Sequence, residues 1–288
     1  MKQHVRTLVL FLAMLCPAWI AWAGPADLVQ SVPGGQINWT RRVVQAKGIG
    51  SALPEVSNTP AGWEMAAMNA KRHAYVNLLE TVKHLRLSDR WQVGDVVAGN
   101  DKVLAKIEQL LKSASIEDIV YSSDGAVEVT RSMPIAGSLA QLILPEYIVQ
   151  LEMKNLGHSS PDMEETDFTG LVVDARGVDA APSMCFAIFD EGGREVYGSA
   201  YVSREFVVQR GMCGYAANMS AVQENERVGD NPLVVKALNA KPPGGTNIVI
   251  SNTDASRLHS AVENLFFLRE CRVIVVRRPF ENEKAGPS

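Results

Sequence analysis

Motifs of catalysis and metal capture are missing from this sequence. It has no glycine-rich phosphate loop, no His-Glu-x-x-His helix and no paired Cys-x-x-Cys. Basic charge is not in excess: 28 Lys and Arg stand against 32 Asp and Glu, a net charge of −4. That balance excludes non-specific binding to phosphate polymers, which takes basic faces. Four cysteines are too few and too scattered for a disulfide scaffold. With 47% hydrophobic and 21% charged residues, the chain is neither low-complexity, collagen-like nor wholly disordered. Its 288 residues suffice for one large domain or two modest ones.

The long uncharged run lies at the start. Lys2 and Arg6 precede an uncharged stretch from Thr7 to Ala26, with a dense apolar block from Leu8 to Leu15. Ala21-Trp22-Ala23 then fits the small-x-small pattern before a cleavage site, and Gly24 becomes the first mature residue. These are the three parts of a secretory signal peptide, residues 1–23. An uncleaved membrane anchor and a lipid on Cys16 are the alternatives, but Pro17 interrupts the run and Leu15 fits a lipidation site poorly. Cleavage removes Lys2 and Arg6 and no acid, so the net charge of −4 becomes −6. Cys185, Cys213 and Cys271 remain. An oxidising compartment permits one disulfide among them, and the preferred reading is that some are buried apolar fillers.

After a lead over 24–36, residues 37–150 read as an α/β domain. Ile37 to Ile49 is rich in β-formers and ends in the turn Gly48-Ile49-Gly50. Without a third glycine this is no dinucleotide fingerprint. A helix follows over 61–83, with Trp63, Ala66, Ala67, Ala70, Ala74, Leu78 and Val82 on one face. The alanines let its backbone lie close to a sheet, and His73 falls on the wet side. A short strand is expected over His84 to Asp89, then an amphipathic helix from Asp101 to Ala114 capped by Asn100. Ser122-Ser123-Asp124-Gly125 predicts a hairpin between Ile116–Tyr121 and Ala126–Met133, with Val127, Val129 and Met133 buried. Glu128, Thr130 and Ser132 should be wet, and Arg131 near an edge. A helix from Ser138 should stop before Pro145.

Asn155 to Thr166 is polar and turn-rich, so 151–167 reads as a linker. Residues 168–279 read as a β-rich unit. Strands are expected over Phe168–Ala175, Met184–Asp190 and Glu195–Val202 as a meander, with a short helix capped by Ser203. Asn247–Ser251, Asp254–Arg269 and Cys271–Arg277 follow as strand, helix and strand. If those two strands are neighbours, they form a parallel pair through a right-handed crossover. Residues 280–288 should fray. The fold class is therefore α+β or α/β: an N-terminal sheet with two packed helices, then a β-rich unit ending in strand–helix–strand.

The segment Val44-Gln45-Ala46-Lys47-Gly48-Ile49-Gly50, followed by Ala66, Ala70, Ala74, Asn77, Leu78, Leu79, Glu80 and Val82, resembles the twenty-kilodalton bacterial lipoprotein family. That group includes the flagellar outer-membrane lipoprotein FlgP, and the N-terminal domain of FlgT is similar. The resemblance covers about residues 37–145. Gly170 to Gly177, Asp190 to Gly193 and Asn231 to Ala237 resemble long envelope members of the same group. The resemblance implies a secreted envelope protein, and in some relatives a part of rings or disks beneath the outer membrane. It implies no enzymatic activity.

The residues offer two enzyme readings. Gly211-Met212-Cys213-Gly214 has the look of a nucleophile turn, but neither His158 nor His259 stands at a recognisable spacing. Asp174 and Asp190 are more simply strand-end turn residues than paired acids. No catalytic, cofactor-binding or metal-ligating residue is expected, and no cofactor. The first functional reading is an exported, non-catalytic envelope component in the periplasm or at the outer-membrane periphery. It would act through self-association or protein partners, with no nucleic acid and no mature transmembrane helix. The alternative is a periplasmic ligand-binding module or enzyme for a cell-wall or small-molecule ligand, with Asp174 and Arg176 marking a cleft between the units.

Overall fold

A computed structural model describes residues 27–57, 59–146, 148, 168–223, 225–242, 245–260 and 262–280. The signal segment with Cys16, Ala21, Ala23 and Gly24, the linker 151–167 with His158, and the tail from 281 lie outside these residues.

The stretch from Ile37 to Ile49 is two strands rather than one. Thr40, Arg41 and Arg42 interrupt its apolar pattern, and Arg42 adopts a left-handed backbone with φ 55°. The chain reverses there, giving β1 (Val29–Val32), β2 (Gly35–Asn38) and β3 (Val43–Gly50). β4 (Ser115–Tyr121) and β5 (Val127–Pro134) form the hairpin expected from the Ser122–Gly125 turn. Together they make an antiparallel sheet in the order β1-β2-β3-β5-β4. Val127, Val129 and Met133 are buried as expected, but Thr130 and Ser132 are buried too. Arg131 lies within the sheet, because β5 is flanked by both β3 and β4.

The helix α1 (Pro60–Lys83) crosses this sheet with Ala66, Ala70, Ala74, Leu78 and Val82 buried beneath it. Gly48 and Gly50 make the close approach possible. A Cβ on Gly48 would lie 2.0 Å from the Ala74 nitrogen, and one on Gly50 2.2 Å from the Ala66 oxygen. β2 covers β3 only as far as Ala46. Beyond it, α1 supplies the missing donors: Asn77 Nδ2 to the Lys47 oxygen at 2.7 Å, His73 Nδ1 to the Ile49 oxygen at 2.6 Å, and Asn69 Nδ2 to the Ser51 oxygen at 3.1 Å. Four helical residues rise about 6 Å and two strand residues about 6.7 Å, so the two repeats nearly match.

The predicted strand over His84–Asp89 is only a bridge, Arg86 to Gln92. Its carbonyls serve another purpose: those of Arg86 and Leu87 accept from the amides of Met184 and Cys185 at 3.0 and 2.7 Å. A short helix α2 (Val93–Ala98) leads to α3 (Asp101–Lys112), capped by Asn100 as the sequence implies. α4 (Ser138–Ile143) ends before Pro145.

The C-terminal half holds two four-stranded sheets. β6 (Leu171–Asp174), β9 (Gly214–Ala216), β10 (Leu233–Lys236) and β13 (Val273–Val276) form a parallel sheet in the order β10-β6-β13-β9. All four residues of β13 are buried, as a central parallel strand requires. β7 (Ile188–Phe189), β8 (Glu195–Tyr197), β11 (Asn239–Lys241) and β12 (Asn247–Val249) form a mixed sheet. The expected meander is reduced to the β7–β8 hairpin, because β6 pairs elsewhere. β12 and β13 lie in different sheets, so they form no crossover unit. The helical stretch between them is two pieces, α6 (Asn252–Leu258) and α7 (Val262–Arg269). The short helix after Ser203 is α5 (Arg204–Arg210). The class is α+β, with an antiparallel sheet and its helices followed by a β-rich half.

One hydrophobic core runs through both halves, joining Trp39, Leu78 and Leu139 to Val207, Tyr215 and Val273. Among the described residues, no helix is long and apolar enough to cross a membrane.

Candidate functional site

Asp174 sits at the C-terminal end of β6 in the parallel sheet. Arg176 chelates it, with Nε to Oδ1 at 2.8 Å and Nη2 to Oδ2 at 2.7 Å. That two-pronged bond holds the Asp174 carboxyl below its ordinary range, and Arg176 rises in turn. The two residues therefore satisfy each other on the surface. Asp190 belongs to the other C-terminal sheet. It accepts from the Arg194 amide at 2.8 Å and from Arg194 Nε at 3.1 Å, closing the β7–β8 turn. Backbone donation from Arg194 is the main cause of its lowered pKa. The fold thus assigns the two aspartates to separate sheets, each with its own arginine.

Cys185, Cys213 and Cys271 are free and buried. Burial pushes their thiols up to about 12, 11 and 12 respectively. A nucleophilic cysteine needs the opposite shift. His259 is occupied elsewhere, with Nε2 donating to the Val196 oxygen at 2.9 Å and its ring against Tyr201. Among the described residues no three His, Cys, Asp or Glu side chains converge as metal ligands.

Two features stand out instead. The first is a cleft where the halves meet. Trp39 and Arg42, from the β2–β3 turn, face Ser183, Met212, Cys213 and Tyr215 from the C-terminal half across a cavity of about 30 Å3. The Trp39 and Tyr215 rings meet edge to face at 5.7 Å. The buried Tyr215 hydroxyl donates to the Ser183 oxygen at 3.0 Å and accepts from its amide at 2.9 Å. The cleft walls are therefore rigid and largely apolar. Arg42 is the charged group at the cleft, and its Nη1 donates to the Gln209 oxygen at 3.3 Å. Burial first, and then the neighbouring guanidinium of Arg227, lower Arg42 to about 10.

The second feature is an open sheet end. Among the described residues β4 has a single neighbour, β5. A bulge between Ile116 and Asp118, with Glu117 and Asp118 beside it, blunts the first half of this edge. The second half carries exposed apolar side chains beside the Lys47–Glu128 ion pair. Val120 is 45% and Tyr121 59% exposed, and Ile49, in line with Val120 across Glu128, is 59% exposed.

The sequence places a cleft between the units at Asp174 and Arg176, but neither residue lines this cavity. Its residues come from four separate stretches of chain, and no spacing links one stretch to another. The break in the β pattern at Thr40-Arg41-Arg42 is the one local signal that a turn, and a charged one, lies there.

Comparison with known proteins gives one family match. The family model described as Treponema pallidum Tp0624, second domain, matches residues 170–279. The match covers nearly all of the C-terminal half and less than half of the chain. No curated protein matches this chain.

Proposed function

We propose that this protein is an exported, non-catalytic component of the bacterial cell envelope that works by assembly, with itself or with protein partners. The observation that carries this reading is the open end of the N-terminal sheet. Large apolar side chains at an unpaired edge are a recurrent cause of association. The leader over residues 1–23 supports an address in the periplasm or at the outer-membrane periphery. The resemblance of residues 37–145 to the twenty-kilodalton lipoproteins supports the same compartment, and the assembly of some relatives into rings supports the mode of action.

Sedimentation velocity on the purified protein tests the self-associating form of this reading. The expected result is a concentration-dependent oligomer that dissociates when Ile49 and Val120 are both replaced by lysine, with thermal stability unchanged. Envelope proteins cross-linked to the wild type should be lost in the same variant if the partner is a different protein. A strict monomer that captures no partner, and whose deletion leaves motility and envelope integrity intact, would overturn the proposal.

A further inference from the structure

Arg42 lines the cleft between the halves, with Arg210 and Arg227 close enough to act on its charge. Arg42 donates to the carbonyl of Gln209, and Arg227 donates to the carbonyls of Arg210 and Gly211 as well as to Cys271. These carbonyls close the C-terminal end of α5, which also carries Arg210 itself. A helix end offers roughly half a negative charge, against three full positive ones. No Asp or Glu forms an ion pair with any of the three among the described residues. Burial is the main cause that lowers Arg42 and Arg227.

Their roles differ. Arg227 spends its donors on three main-chain oxygens and acts as a clamp. The Arg42 side chain makes a single hydrogen bond among the described residues, at 3.3 Å, and its remaining side-chain donors can serve the cleft. Its left-handed backbone is unusual for an arginine and is what turns this side chain toward α5 and the cavity. Strain retained beside a cavity is a recognised mark of a binding position. The rest of the lining is apolar or aromatic, including Trp39, Ile135, Leu144, Val207 and Met212. A charge at one end and an apolar wall at the other match an amphipathic anion, and about 30 Å3 admits only a small one.

We propose that the junction cleft binds a short-chain carboxylate, with Arg42 receiving the carboxyl group and the apolar tail lying against Trp39 and Leu144. A carboxylate accepts two parallel N–H bonds from a guanidinium, and its charge completes the set that α5 leaves unbalanced. The site is independent of the sheet end proposed for assembly.

Isothermal titration of the purified full chain with propionate, propionamide and inorganic phosphate tests this directly. Propionate should saturate, and propionamide, which has the same shape without the charge, should bind at least tenfold more weakly. Phosphate, with charge and no tail, should also bind at least tenfold more weakly. Arg42→Gln should reduce propionate affinity at least tenfold while retaining the wild-type circular dichroism spectrum. Should that variant misfold, Ala140→Met, which fills the cavity from α4, should abolish binding instead. A linear, unsaturating response to propionate would overturn the proposal, as would equal binding of the amide or of phosphate.

Discussion

Gly48 and Gly50 show how a pair of residues can suggest a cofactor and serve packing. Each faces α1 at a distance that leaves no room for a methyl group, with Ala66, Ala70 and Ala74 across the contact. The obstacle is helix backbone, which gives way only if α1 shifts. Gly48→Ala should therefore destabilise the fold by about 3 kcal/mol, read as a lowered midpoint in urea. The three thiols make a second residue-scale case. In the unfolded chain they ionise near pH 9, and in the fold near 12, 11 and 12. Above pH 9 the unfolded state holds fewer protons than the native one, so stability is full below that point and falls as pH rises. Each thiol contributes about 1.4 kcal/mol per pH unit until its folded pKa is reached. Thermal melts from pH 8 to 11 should show the decline, and a Cys213→Ala variant should show a shallower one.

Among the elements, α1 carries out two tasks that its hydrophobic pattern reveals only in part. The buried alanine face is legible as a repeat of three and four residues. The ladder of Asn69, His73 and Asn77 to the Ser51, Ile49 and Lys47 carbonyls is not, because it depends on β2 ending early. Replacing all three by alanine removes three hydrogen bonds worth about 1 kcal/mol each. The better helix propensity of alanine returns about half of that. The net loss should be about 1–2 kcal/mol in chemical denaturation. The hairpin β4–β5 and the capped helix α3 were equally readable, since turn residues and caps act within a few positions. Their burial was less so: Thr130 and Ser132 sit on the face that alternation makes wet, yet are covered. Alternation describes one sheet face against solvent and does not register what packs over the other.

At the level of the whole molecule, main-chain carbonyls receiving arginine help hold the halves together. Arg204 reaches the last turn of α4 and the residues after it, donating to Gln141, Leu144, Pro145 and Ile148 at 2.8–3.4 Å. Such oxygens have no partner within the helix. With a shared hydrophobic core, the described residues should unfold in one cooperative transition, followed by circular dichroism and Trp fluorescence together. Arg204→Met should lower stability by about 3 kcal/mol without separating that transition into two. The fold class was determined by the sequence itself, as were the positions of most helices and strands, because hydrophobic period, turn chemistry and caps are local. So was the expectation of export, which rests on a run of uncharged residues. Which strands pair was decided only in three dimensions: β12 and β13 are linked by helices yet join different sheets, since pairing depends on every other strand competing for the same edges. The cleft was decided there too. Arg42 is far along the chain from Arg210 and Arg227, and only the docking of the β2–β3 turn against the end of α5 brings its charge beside theirs.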